Sequence, residues 1–185
     1  MKDGNYTITQ KSKKQIFYVG IDVHKNFWVV TIRTENTELR TISVNPNPKG
    51  LATYLRKNYS GGIYKSAYEA GFCGFWIHRQ LMKEGIDNIV IHAADVPTTH
   101  KEKVNKTDKV DSRKIAKELE NGNLKGIYVP EKWNEEFRSF CRLYCCLTSH
   151  SSRLKNRIKC HLHYYGISLP KDCECRHWSL NFIKY

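Results

Sequence analysis

The sequence predicts an α/β fold in which an antiparallel meander of three strands is extended by parallel strands, with a long basic helical arm behind it. Two patterns carry this reading. Strand-type segments come first and then alternate with helical ones, and beyond residue 130 the apolar period settles to 3.5 residues. Forty per cent of the 185 residues are hydrophobic and 12% aromatic. That is enough to bury a core and to exclude wholesale disorder.

Residues 1–15 are polar and basic and read as a loose tail. Ile16 to Val23 (IFYVGIDV) is a short β-branched and aromatic run of the kind that forms a buried central strand. Asn26 to Thr34 and Leu39 to Val44 follow as two further strands, joined by the polar residues Thr34 to Thr37 in a hairpin-type turn. After the Asn45-Pro-Asn-Pro48 breaker, helical spacing runs from Gly50 to Tyr59, and Gly61-Gly62 punctuates it. Ile63 to Ala70 reads as a fourth strand. Gly71 to Lys83 reads as a helix that turns Phe72, Phe75/Trp76 and Leu81 inward, closed by Gly85. Asn88 to Ala93 is the fifth strand.

Residues 97–107 hold no core-forming pattern and read as a basic loop. Thr107 is the expected N-cap of a helix from Asp108 to Glu120. This order fits an RNase H-like domain with a mixed five-stranded sheet over residues 16–130, although other α/β folds share it. From Phe137 to Tyr165, apolar and aromatic residues recur at alternating steps of three and four. Seven Lys/Arg and no Asp/Glu lie between Phe137 and Lys171. A helix so one-signed repels a copy of itself unless an anion lies alongside. Residues 131–167 are therefore read as a dimerisation or nucleic-acid-facing coiled-coil arm, the alternative being a helix packed on its own domain. Residues 168–185 end mid-pattern on Trp178, Leu180, Phe182 and Ile183, as expected of a truncated segment.

The formal net charge is +13 with 31 Lys+Arg against 18 Asp+Glu, a balance that favours a polyanionic partner. No apolar run approaches the roughly 18–20 residues needed to span a bilayer, and the start lacks the apolar core of a signal peptide. The expectation is a soluble cytoplasmic protein with no membrane partner. The seven cysteines are an odd count without a secretion signal and are read as thiols. Cys160, His161, His163, Cys173, Cys175 and His177 do not show the paired spacing of common structural zinc sites. No phosphate-cradling GxxxxGK[ST] loop exists, which disfavours nucleotide hydrolysis.

Phosphodiester chemistry with Mg²⁺ needs carboxylates that converge from several elements, because hard cations take oxygen ligands. Asp22 sits inside the first apolar strand, where an unpaired carboxylate is costly. Glu69 ends the fourth strand. Asp108 and Asp111, at i and i+3, share one face of a helical first turn. Each has an ordinary structural explanation: backbone hydrogen bonds for Asp22, plain exposure for Glu69, and dipole complementation for the helical pair. Together they favour a metal site. Lys101, Lys103, Lys106, Lys109 and Arg113 around the helical pair, and Arg153 and Arg157 on the arm, are the candidates for gripping nucleic-acid backbone.

Three stretches bear a specific likeness. Tyr18-Val-Gly-Ile-Asp-Val-His-Lys25, Tyr68-Glu-Ala-Gly-Phe-Cys-Gly74 with Arg79-Gln-Leu81, and Lys106-Thr-Asp-Lys-Val-Asp-Ser-Arg-Lys-Ile-Ala116 resemble the N-terminal RuvC-like part of DEDD transposases of the insertion-sequence-110 family. Val129-Pro130 and the helix beyond match as well. The resemblance implies an RNase H-like domain whose Asp22, Glu69, Asp108 and Asp111 are a catalytic tetrad binding Mg²⁺ or Mn²⁺. It further implies DNA cut-and-rejoin chemistry, a structured guide RNA and oligomers on DNA. In that family a C-terminal domain carries a serine nucleophile, and this chain stops before it. Ser149, Ser151 and Ser152 lie on the predicted arm and are not assigned that role. His24 and the Phe72-Cys73 pair fall where the family pattern varies, and neither is expected to touch a proposed ligand. The expected function is the N-terminal catalytic portion of a transposase, inactive by itself. The alternatives are an inert, truncated module that binds nucleic acid or dimerises, and a free-standing junction-resolving nuclease.

Overall fold

The computed structural model describes residues 14–96, 108–167 and Trp178. The N-terminal tail, the basic loop with Lys101, Lys103, Lys106 and Thr107, and most of the C-terminal segment lie outside the described residues. The chain divides into one unit ending at Val129 and another starting at Pro130.

In the first unit the strands are β1 (Ile16–Val23), β2 (Trp28–Thr34), β3 (Thr37–Val44), β4 (Ile63–Glu69) and β5 (Asp87–Ile91). The helices are α1 (Pro48–Asn58), α2 (Trp76–Lys83) and α3 (Asp108–Glu120), with a short 3₁₀ turn at Ala93–Asp95. The sheet order is β3-β2-β1-β4-β5. β1–β2 and β2–β3 pair antiparallel, whereas β1–β4 and β4–β5 pair parallel. This is the mixed five-stranded α/β sheet the sequence predicts, and it is consistent with an RNase H-like fold.

The two-residue turn Glu35-Asn36 joins β2 to β3 with both residues at positive φ, 49° and 61°. That is the primed geometry whose twist matches a hairpin. Asn47 caps α1 through a hydrogen bond that Gly50 N donates to its Oδ1 (3.1 Å), with Pro48 behind it. The helix expected from Gly71 starts only at Trp76. Gly74 N donates to Gly71 O to close a turn, and Gly74 sits at φ 58°. A side-chain bond holds this turn: Tyr68 Oη from β4 donates to Gly74 O and accepts from His78 N. Phe72 and Trp76 are accordingly 74% and 46% exposed, contrary to the inward reading, while Ile77 and Leu81 are buried.

Strand alternation sorts the core into two layers. Phe17, Val19, Ile21, Trp28, Val30, Ile32, Tyr64, Tyr68 and Val90 pack with Leu51, Ala52 and Leu55 of α1 and Ile77 and Leu81 of α2. On the opposite face, Ala67 and Ile91 pack with Val96 and with Ile115 of α3. After α3 the chain returns along β5, where Ile127 N donates to Val90 O.

The second unit contains the 33-residue helix α4 (Lys132–Tyr164), none of whose residues is buried. Phe137, Phe140, Tyr144, Leu147, Leu154 and Ile158 stand exposed along it. Among the described residues no helix is long and apolar enough to cross a membrane.

Candidate active site

The site is fixed by how α3 lies on the sheet. Gly20 of β1 faces α3 so closely that an added Cβ would stand nearer than 3.0 Å to the Ser112 carbonyl oxygen and the Ala116 nitrogen. Glycine is therefore required for the close approach of helix and strand. Thr31, paired with Gly20 across β1–β2, places its hydroxyl 2.9 Å from that of Ser112, and both residues are fully buried. Toward the other end of α3, Glu120 Oε2 accepts from Arg33 Nε at 2.8 Å, and Arg33 pairs with Tyr18. So Ser112 lies at the Gly20 level and Glu120 at the Tyr18 level. α3 thus runs antiparallel to β1, and its first turn falls over the end of the strand that carries Asp22.

Asp22 shares the α3 face with Gly20, two residues earlier. In the β1–β4 register the last pairs are Gly20 with Ala67 and Ile21 with Tyr68. One step further along these parallel strands, Asp22 and Glu69 are neighbours, about 4.8 Å apart along the sheet. Glu69 lies on the same face, since Ala67, two residues earlier, packs against Ile115. On α3, Asp111 lies one turn before the buried Ile115, in a row that faces the sheet, and Asp108 stands in the first turn of the same helix. Sequence positions far apart are thus brought to one edge. The side chains of Asp108 and Lys109 lie outside the described part. Among the described residues alone, no three His, Cys, Asp or Glu side chains form a group that could hold a metal ion.

His24 is what the sequence reading missed. Its Nε2 lies 3.0 Å from Asp22 Oδ2, and a carboxylate only accepts, so the ring proton sits on Nε2 in this contact. The imidazole also stacks on Phe27, centroids 4.7 Å apart at 25°, and His24 N donates to Phe27 O. The expectation that His24 touches no proposed ligand is thus corrected. The i to i+2 spacing of Asp22 and His24 is the one available sequence signal, and it becomes a contact only because the chain turns immediately after Val23.

The candidate nucleic-acid residues divide between the units. Arg113 Nε donates to Glu38 Oε1 at 3.0 Å, tying α3 to the edge strand β3. Arg153 and Arg157 are on α4 of the second unit, where both are exposed. Cys73, Cys141, Cys145, Cys146 and Cys160 are free thiols. Burial pushes the Cys73 thiol above the usual cysteine range.

A family model described as DEDD_Tnp_IS110, a transposase, matches residues 19–167. The chain belongs to this transposase family. Among curated proteins it is 37% identical over 106 residues to "Putative transposase y4rJ" of Sinorhizobium fredii, covering 54% of this chain and 27% of that protein. It is 25% identical over 177 residues to the transposase for insertion sequence element IS1533 of Leptospira borgpetersenii, covering 93% of this chain and 50% of the relative. The chain therefore spans from about a quarter to half of the length of these relatives. Both Asp22 and Glu69 lie inside the family match, as do Asp108 and Asp111.

Proposed function

We propose that this transposase-family chain supplies the acidic half of a DNA strand-cleavage and rejoining site, with Asp22, Glu69, Asp108 and Asp111 holding Mg²⁺ or Mn²⁺. The observation that carries the reading is the register: Asp22 falls beside Glu69, and the first turn of α3 lies above both. Carboxylate oxygens are the donors such hard cations take, so the residues fit the metal. Held by these four carboxylates, such a cation would supply charge stabilisation at a phosphodiester undergoing cleavage. The chain's own residues have simpler roles. His24 holds Asp22 in one rotamer, and the packing of Ser112 against Thr31 fixes the height of α3 over the strands.

The same reading takes in DNA as substrate, a guide RNA as partner and self-association. It is supported by the +13 charge and by the exposed apolar stripe on α4, which suits a coiled-coil partner. The lysines of residues 101–109 and Arg153 and Arg157 would contact phosphates.

Calorimetric titration of Mn²⁺ into the wild type and Asp22→Asn tests the reading. Loss of one ligand is expected to weaken binding by about tenfold or more, since even outer-shell partners cost that much. Unchanged affinity would remove Asp22 from the site.

A further inference from the structure

We propose, resting on the nucleic-acid reading above, that the turn Lys25-Asn26-Phe27 and the loop bearing Phe72 form a stacking subsite for unpaired nucleobases at the carboxylate edge. The substrate presented there would be a locally unpaired strand, not an intact duplex.

Placement is the first argument. β1 and β4 are parallel neighbours, and the chain leaves both at the edge that carries Asp22 and Glu69. Phe27 lies on the connection that follows β1, and Phe72 on the one that follows β4. Both phenyl rings are exposed, Phe27 by 39% and Phe72 by 74%, whereas the adjacent Trp28 is 1% exposed. The core thus has an aromatic anchor at this edge already, and neither phenylalanine belongs to its buried cluster.

Rigidity is the second argument. Phe27 has one face stacked on His24, which is itself bonded to Asp22, so its orientation is set relative to the carboxylate. Phe72 sits on the turn closed by Gly74 N to Gly71 O and held by the Tyr68 hydroxyl. Rings presented on braced turns lose little freedom on binding.

Chemistry is the third. Lys25 and Asn26, on the same turn as Phe27, are exposed. A cation for the backbone next to an aromatic face for the base is the combination used by single-strand binders. Isolated rings with charged and amide neighbours in a chain of net charge +13 suit a polyanion better than an apolar protein surface.

The test uses the 185-residue chain, a fluorescein-labelled single-stranded oligonucleotide, its duplex form, and a single-stranded version carrying 2-aminopurine. Phe27→Ala and Phe72→Ala should each weaken single-strand binding by roughly tenfold and relieve quenching of the 2-aminopurine, with duplex affinity unmoved. Phe27→Trp should restore the wild-type values. Phe72→Ala, at a residue 74% exposed, should melt with the wild type, and Phe27→Trp, which keeps a ring on His24, separates stacking on a base from support of His24. Single-strand affinity that does not change in either alanine variant would overturn the subsite while leaving the nucleic-acid reading intact. Equal losses on single strand and duplex would overturn it too, because stacking on unpaired bases cannot act on a closed helix. A wild-type chain that binds neither form would overturn both readings together.

Discussion

Replacing Gly20 by alanine tests the docking of α3 most directly. The added methyl would stand within 3.0 Å of two backbone atoms of α3, at Ser112 and Ala116, and 2.9 Å from the Ala116 Cβ. Backbone in a helix cannot swing aside as a side-chain tip can, so the whole helix must lift by roughly 1 Å to reach ordinary contact distance. Overpacking of this kind costs about 3 kcal/mol at the upper end of its usual range. For a chain of this size that corresponds to a fall in Tm of roughly 6–12 °C. The lift also carries Asp111 away from the Asp22–Glu69 edge. Mn²⁺ affinity should therefore fall more than in a variant equally destabilised elsewhere, such as Leu81→Ala under α2. Circular dichroism melting and calorimetry read the two effects separately. A Gly20→Ala protein with wild-type Tm and wild-type metal affinity would refute the close-approach argument and the site built on it.

Other outcomes follow from the same geometry. Thr31→Val removes a hydroxyl that bonds both Ser112 and Thr41 at 2.9 Å and should cost about 1–3 kcal/mol in urea unfolding. Arg33→Met takes the cation from the Glu120 carboxylate, only 7% exposed, and leaves it the Asn36 N–H at 2.7 Å, so the cost should be about 3 kcal/mol, the low end for a broken buried pair; Glu120→Gln should be milder. Neutralising Arg153 and Arg157 together should flatten the log–log salt dependence of DNA affinity by about 1.8 if each meets one phosphate; an unmoved slope would place them off the DNA. Because burial raises the Cys73 thiol, its reactive thiolate appears only at higher pH. Iodoacetamide at pH 8 should therefore modify the exposed Cys145, Cys146 and Cys160 before Cys73, an order that peptide mass mapping reads.

The elements that could be read in the sequence were those with a one-dimensional signature. The run Ile16 to Val23 announces a buried strand because both of its faces are covered, and Glu69 and Asp111 stand at an element end and a helical first turn where periodicity places them. The start of α2 was misplaced by five residues because Gly71 and Gly74 build a turn whose aromatic content imitates a helical face. The His24–Asp22 contact depends on a turn geometry that no period encodes. Arg33–Glu120 and Thr31–Ser112 join residues more than eighty positions apart, so only the assembled sheet reveals them. Nothing in the strand pattern singles out Gly20; its need becomes visible only when a helix is laid across it.

The fastenings of α3 share one direction. Ser112 to Thr31, Arg113 to Glu38 and Glu120 to Arg33 all lead into the hairpin of β2 and β3, while Ile115 packs on Ala67 and Ile91 of the same sheet face. The helix is thus anchored by the strands beneath it. A chain nicked within residues 97–107 should therefore hold together as two associated fragments, the second kept on the sheet by those three contacts.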